Sequence, residues 1–190
     1  MEITGNWTQG YVLDYHTIKS EFICCDEDGY KRFYTEYSEI GGLLNRLKYD
    51  YDRSAIEPII EITVCFIKEI WKPEIDIIIP VPPSRKRRFQ PVIKLAKKLG
   101  IQLQIDCKGK YLKKVKCTQE LKDIYDFDER MRILEDAFYV KKVISNKNVL
   151  LFDDLYRSGA TLNAVSHILH SKGDAKDIYV LALTKTRSKR

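Results

Sequence analysis

Apolar residues along this chain gather in short unbroken runs, and the runs alternate with stretches of helical period. Val149-Leu150-Leu151-Phe152 is too short for a free-standing helix and is bounded by polar residues, so it suits a strand buried on both faces of a parallel sheet. That strand is expected to end at Asp153 and Asp154. A small-residue loop follows, Arg157-Ser158-Gly159-Ala160-Thr161, and then Leu162, Val165, Ile168 and Leu169 recur at helical spacing. The same order appears earlier. Asp76-Ile77-Ile78-Ile79-Pro80-Val81 reads as a buried strand, Pro82 to Arg88 as a basic loop, and the residues through Lys98 as a helix. Two strand-loop-helix units in sequence predict an α/β fold, a parallel twisted sheet flanked by helices, with ligands at the C-terminal ends of the strands.

The remaining pattern fills in around these units. Trp7 to Tyr15 and Glu21 to Cys25 are strand-like, with a turn at Asp26-Glu27-Asp28-Gly29. They predict a small N-terminal antiparallel extension over residues 1–35, ahead of an α/β domain over residues 36–190. Its aromatic residues (Trp7, Tyr11, Tyr15, Phe22, Tyr30, Phe33, Tyr34, Tyr37) are read as core, with base stacking as the other use. Leu43, Leu44 and Leu47 place a helix between Ile40 and Tyr51, and Ser54-Ala55-Ile56-Glu57 is a capping box opening a second helix to about Trp71. Pro58 falls in its first turn, where proline is tolerated. Residues 101–105 alternate like a short strand, residues 108–128 form a lysine-rich loop, and Ala137 to Val140 and Ile178 to Leu183 are further strands. Lys185 to Arg190 is a basic tail.

Chemistry concentrates on the central strand, loop and helix. Free N–H groups at a helix N-terminus favour an anion, Gly159 lets the chain approach it, and the Ser158 and Thr161 hydroxyls add donors. A phosphate fits there. Two carboxylates beside it would repel it unless they face a hydrogen-bond donor such as a pair of sugar hydroxyls, or hydrated magnesium. A ribose 5-phosphate offers both ends.

The run from Val149 to Thr161 resembles the phosphoribosyl pyrophosphate (PRPP) motif of type I phosphoribosyltransferases, with Ser158 where that family usually has Thr. The resemblance implies the fold of that family, with Asp153 and Asp154 on the ribose hydroxyls. It implies that Tyr156, Arg157, Ser158, Gly159, Ala160 and Thr161 hold the 5-phosphate and that Val81, Pro82, Pro83, Ser84 and Arg85 hold pyrophosphate. Magnesium would be carried by PRPP near Asp153 and Asp154, without a dedicated protein site. Arg85, Arg88 and Lys113 or Lys114 would be the catalytic cations, the lysines delivered by a mobile loop.

A narrower resemblance, to ComF-type proteins, rests on Ile79-Pro80-Val81-Pro82, the basic cluster with Phe89-Gln90, and Thr118-Gln119-Glu120-Leu121 with Arg130 and Ala137-Phe138. Arg88-Phe89-Gln90 is shorter than the Arg-Gly-Phe-Asn-Gln run of that branch, and Ile133 stands where it usually has Asn. Its cysteine zinc module is missing here. The implied activity is magnesium-dependent transfer of phosphoribosyl from PRPP to a nitrogen acceptor, with release of pyrophosphate, in nucleotide metabolism. The acceptor is not identified, and a hood selecting it would come from residues 1–40. The alternative is a non-catalytic PRPP-binding or ComF-like accessory protein acting with nucleic acid.

Composition narrows the classes further. At 190 residues and 44% hydrophobic content the chain supports a real core, and no run approaches the ~20 apolar residues of a membrane span. No signal-peptide pattern precedes it, so a cytoplasmic location is expected. The net charge of +6 is unevenly divided: residues 1–76 carry 8 basic and 15 acidic side chains, residues 77–190 carry 25 and 12. Excess positive charge around the motif suits a polyphosphate ligand and would also suit nucleic acid. The five cysteines (24, 25, 65, 107, 117) have neither zinc nor disulfide spacing, and Cys65, in an apolar run, is read as core. His167 and His170 are three apart with no third metal ligand nearby. Oligomeric state is not legible.

Overall fold

The computed structural model describes residues 1–83, 89–115 and 137–187. In chain order the elements are β1 (Gln9–Tyr15), β2 (Thr17–Cys25), β3 (Lys31–Tyr37), α1 (Glu39–Tyr49), α2 (Ile56–Cys65), β4 (Ile77–Pro80) and α3 (Pro91–Leu103). They continue with β5 (Asp106–Cys107), β6 (Leu112–Lys114), β7 (Phe138–Val140), β8 (Lys147–Tyr156), α4 (Ala160–Ser171) and β9 (Ala175–Lys185). Five strands form one sheet in the order β1-β9-β8-β4-β5, and every neighbouring pair is parallel. Two antiparallel ribbons, β2–β3 and β6–β7, complete the architecture.

The apolar run at the centre of β8 is buried because both faces of the sheet are covered. Val149 and Leu151 join Ile77, Ile79, Val180 and the α4 residues Leu162, Val165 and Ile168 in one cluster. Leu150 and Phe152 join Ile78, Leu181 and Leu183 in the other, beneath α1, α2 and α3. Strand alternation thus divides the core into two layers, and α/β crossovers supply the helices.

Several expectations change. β8 does not stop at the acids: Asp153, Leu155 and Tyr156 pair with Ala182, Thr184 and Lys185 of the long β9, which carries the strand on to Tyr156. Trp7 to Tyr15 does not form the antiparallel unit. Its strand, β1, takes the sheet edge parallel to β9, and the hairpin is β2–β3 instead, folded at the expected turn, where Asp26 accepts the Tyr30 N–H. The aromatic core holds for Tyr11, which meets Phe66 and Trp71 edge-on, and fails for the hairpin, where Phe22 is 55% and Phe33 51% exposed. Phe22 and Phe33 meet each other edge-on across the hairpin and are left half exposed, whereas Tyr37 at its base reaches the His16 ring.

The helix boundaries also shift. Asp52, not Ser54, caps the second helical segment: its carboxylate accepts the Ser54 N–H and a short 3-10 turn leads into α2. A π-helical stretch, Phe66–Trp71, prolongs it, and Cys65 faces outward, exposed. α3 extends to Leu103, so residues 101–105 belong mostly to a helix that Gln104 ends in the left-handed region (φ 59°). Lys113 and Lys114 are not in a loop. They lie in β6, paired with Tyr139 and Phe138 of β7, because Leu112 is buried and anchors that ribbon. Residues 116–136, which include most of the expected mobile loop and the ComF-like run from Thr118, lie outside the described residues.

Candidate functional site

The C-terminal ends of β1, β9, β8 and β4 meet along one edge of the sheet. The His16 N–H donates to the Lys185 carbonyl at 2.8 Å, the Thr186 N–H to Tyr156 at 3.0 Å, and the Val81 N–H to Phe152 at 2.9 Å. Asp153 and Asp154 sit in the middle of that row. Val81, Pro82 and Pro83 flank them on the β4 side, so the described part of the expected pyrophosphate segment adjoins the acids. Ser84, Arg85 and Arg88 lie outside the described residues.

The two acids differ in surroundings. Alternation places Asp153 on the face covered by α4 and Asp154 on the face covered by α1. Lys48, in the last turn of α1, reaches Asp154: its Nζ lies 2.7 Å from Oδ2, with the two side chains only 13% and 17% exposed. Leu44 and Leu47, both fully buried against the sheet, hold α1 in place, and Ser38 caps its start by accepting the Gly41 N–H. Asp153 accepts the Asp154 N–H on Oδ1 at 2.8 Å. Burial first, and then the negative charge of Asp154, push the Asp153 carboxyl up to about 8, so it holds a proton at neutral pH.

Thr184 fixes the backbone beneath Asp154. Its hydroxyl donates to the Asp154 carbonyl at 3.0 Å and lies 3.3 Å from His16 Nδ1. Because the hydroxyl proton is committed, Nδ1 is the donor in that second contact and carries the ring's proton. Burial, then the Lys48 charge, lower the His16 pKa, which keeps the ring neutral. The Tyr37 ring stands edge-on to it at 5.6 Å, and the Tyr15 ring carries Lys185 and Arg187 above it, each 5.2 Å from the centroid. In the sequence Tyr15 and Tyr37 stood among the aromatics read as core, with base stacking as the other use, and His16 and Lys48 were not singled out. The only signal for Lys48 was a cation in the last turn of a predicted helix.

The predicted phosphate segment forms the turn from β8 into α4. Gly159 is the helix cap at φ 76°, and its carbonyl receives the Asn163 N–H at 2.8 Å and the Asn163 side-chain amide at 3.1 Å. Asn163 Oδ1 in turn accepts the Asn6 N–H at 2.8 Å, tying the N-terminus to this helix start. Arg157 and Ser158 are exposed, Ala160 and Thr161 half-buried. The Ser158 and Thr161 hydroxyls make no hydrogen bond with other described residues, and the amides of the first α4 turn point out of the helix end. Donors for an anion are therefore gathered at the turn that follows the strand carrying the acids.

Lys113 and Lys114 lie in β6, Lys113 exposed and Lys114 over the Phe138 ring at 5.6 Å. Among the described residues no group of three or more His, Cys, Asp or Glu side chains could hold a metal, and His167 and His170 are both exposed on α4. No helix among the described residues is long and apolar enough to cross a membrane.

No protein-family model matches the sequence, and no curated protein matches it. In structure the chain is similar to adenine phosphoribosyltransferase from Saccharomyces cerevisiae, solved with an imino-altritol bisphosphate and adenine (13% identity over 86% of this chain and 83% of that one, TM-score 0.43). It is similar also to the adenine phosphoribosyltransferase of Thermoanaerobacter pseudethanolicus (15%, 88% and 95%, 0.42). A third likeness is to UMP synthase of Leishmania donovani (13%, TM-score 0.42), where 87% of this chain spans 28% of that one.

Proposed function

We propose that the protein binds PRPP and transfers its phosphoribosyl group to a nitrogen acceptor, releasing pyrophosphate. The observation that carries this reading is the juxtaposition, on one sheet edge, of the Asp153–Asp154 pair with the Gly159 turn that opens α4. The helix start, with Ser158 and Thr161, supplies donors for the 5-phosphate. The open oxygens of the acids accept from the ribose hydroxyls, and the protonated Asp153 can also donate.

Held at both ends, the sugar presents its anomeric carbon in a fixed orientation, which lowers the entropic part of the barrier. As the bond to pyrophosphate breaks, positive character grows on the sugar and negative charge on the leaving oxygens. Asp154 faces the first. The Val81–Pro83 segment leads into the basic loop that would face the second, where Arg85 and Arg88 are the proposed cations, joined by Lys113 or Lys114. Magnesium, carried by the pyrophosphate oxygens, would add charge stabilisation there. The described residues offer it no cage of their own, since Asp154 is already paired with Lys48 and no third carboxylate is near.

The acceptor would enter beside the aromatic and basic groups Tyr15, His16 and Tyr37, which border the acids. A ComF-like accessory role with nucleic acid is the second reading. The cations stacked on Tyr15 favour it, since aromatic and basic groups together suit single strands.

Calorimetric titration of PRPP with magnesium into wild type and Asp153→Asn/Asp154→Asn tests the site. Binding by wild type that is lost in the folded double variant supports it, and a screen of nucleobases and amines for pyrophosphate release then finds the acceptor. A folded wild type that does not bind PRPP refutes the reading.

A further inference from the structure

The acid pair poses an electrostatic problem. Two adjacent carboxylates at the end of a buried strand face a ligand that itself carries phosphates, so something must offset their charge. The family-level expectation assigns that task to magnesium near Asp153 and Asp154. The residues present point elsewhere.

We infer that Lys48 is a positioning residue of the site, a built-in cation that neutralises Asp154 so that the ribose side needs no metal ion and magnesium acts on the pyrophosphate side alone. This inference rests on the PRPP reading for its ligand, and on the Lys48–Asp154 geometry for its substance.

Four observations support it. The ammonium lies 2.7 Å from Asp154 Oδ2, and both side chains are more than four-fifths covered, so the pair is screened little by solvent. Asp154 Oδ1 has no other partner among the described residues and stays open to a hydroxyl. The remaining ammonium hydrogens likewise meet no other acceptor among those residues. Finally, among the described residues the neighbouring basic groups are engaged or exposed: burial and the Lys48 charge lower the His16 pKa, Lys185 and Arg187 lie over the Tyr15 ring, and Arg157 is exposed on the turn.

The anchoring of Lys48 makes the arrangement rigid. It extends from the last turn of α1, where the helix dipole favours a cation. Leu44 and Leu47 lock that helix against Phe152, the residue before the acids. A buried ion pair is a weak source of stability compared with apolar packing, so a pair kept at this position is better explained by what it does for Asp154. With Asp153 protonated and Asp154 paired, the patch is close to neutral, and a diol rather than a divalent ion is its complement.

The test uses magnesium alone as its first probe. At pH 7, where Asp153 keeps its proton, calorimetric titration of Mg2+ into wild type should show no site at the acids, whereas Lys48→Met should gain one that Lys48→Met/Asp154→Asn loses. The gain expected is about tenfold in affinity or more, the effect of removing one close charge. The second probe is PRPP at varied magnesium. Lys48→Met should weaken PRPP binding at low magnesium by about tenfold or more and recover part of it at high magnesium, and Lys48→Arg should stay close to wild type. If Lys48→Met proves unstable, Lys48→Gln, which keeps a hydrogen bond to Asp154, carries the same expectations. Folded Lys48→Met or Lys48→Gln protein with no gain in Mg2+ affinity would overturn the inference. Gain of the magnesium site together with no PRPP binding by wild type would leave Lys48 as the neutralising cation and refute the PRPP reading instead.

Discussion

The Tyr156 hydroxyl lies 2.8 Å from where a β-carbon on Gly159 would stand, and the same ring lines the turn from β8 into α4. Gly159 is also at φ 76°, so two constraints coincide. Gly159→Ala must bear left-handed strain of about 1–2 kcal/mol and displace the Tyr156 ring. A melting temperature lower by roughly 5 °C and at least tenfold weaker PRPP binding are expected from thermal melts and calorimetry. Gly29→Ala is the control. It shares the strain, at φ 80°, but its added carbon meets nothing within 4 Å, so PRPP binding should not change.

The Asp153 carboxyl, raised to about 8 by burial and by Asp154, predicts an unusual pH dependence. An unfolded aspartate ionises near 3.8, so between these values the folded state holds the extra proton. The stability from this group is full below 3.8 and is lost as pH rises through about 8. Wild type should melt lower at pH 8.5 than at pH 5 by roughly 10 °C on account of this group. Asp153→Asn, whose amide oxygen still accepts the Asp154 N–H, should flatten that part of the profile. Melts across pH 4 to 9 settle it, and equal slopes for the two proteins would refute the assignment.

Ser166 is fully buried in α4, and its hydroxyl has no hydrogen-bond partner among the described residues. Ser166→Ala removes a desolvated hydroxyl and improves helix propensity, so it should stabilise the protein by about 0.5–1.5 kcal/mol. Urea denaturation measures this directly. A destabilised variant would show that the hydroxyl has a partner after all.

The β2–β3 hairpin should contribute little to stability. Phe22 and Phe33 meet edge-on at 5.8 Å but are each about half exposed. Replacing both with Ser should change unfolding free energy by no more than about 1 kcal/mol. By contrast Trp71→Ala, which loses ring contacts to Tyr11, Phe66 and Tyr179 and the hydrogen bond to Gln9 at 3.0 Å, should cost about 2–4 kcal/mol. Denaturant midpoints compared at equal m-values separate the two cases.

Much of the sheet was legible because its strands are short apolar runs that only burial on both faces explains. Ile77–Pro80 and Lys147–Tyr156 are neighbours, in the parallel order that the strand-loop-helix pattern required. Boundaries were less legible. A strand's end depends on how far its neighbour extends, and the length of β9 carries β8 past the acids. The exposed face of Cys65 was hidden for a similar reason: an apolar window does not say which side of a helix meets the sheet.

What the sequence determined by itself is local. The apolar run, the two adjacent acids, the glycine that alone tolerates φ 76° without strain, and the helix that follows are set by residue chemistry within a few positions of one another. Tertiary structure decided what surrounds them. Lys48 is more than a hundred positions from Asp154, and His16 is 168 from Thr184. No period or motif links such residues, because their contact exists only once β1 has joined the sheet beside β9 and α1 has packed over its face. The acids could be read as a pair from the chain, but their charge is a property of the fold: burial protonates Asp153, and a helix from the other end of the chain supplies the cation that Asp154 meets.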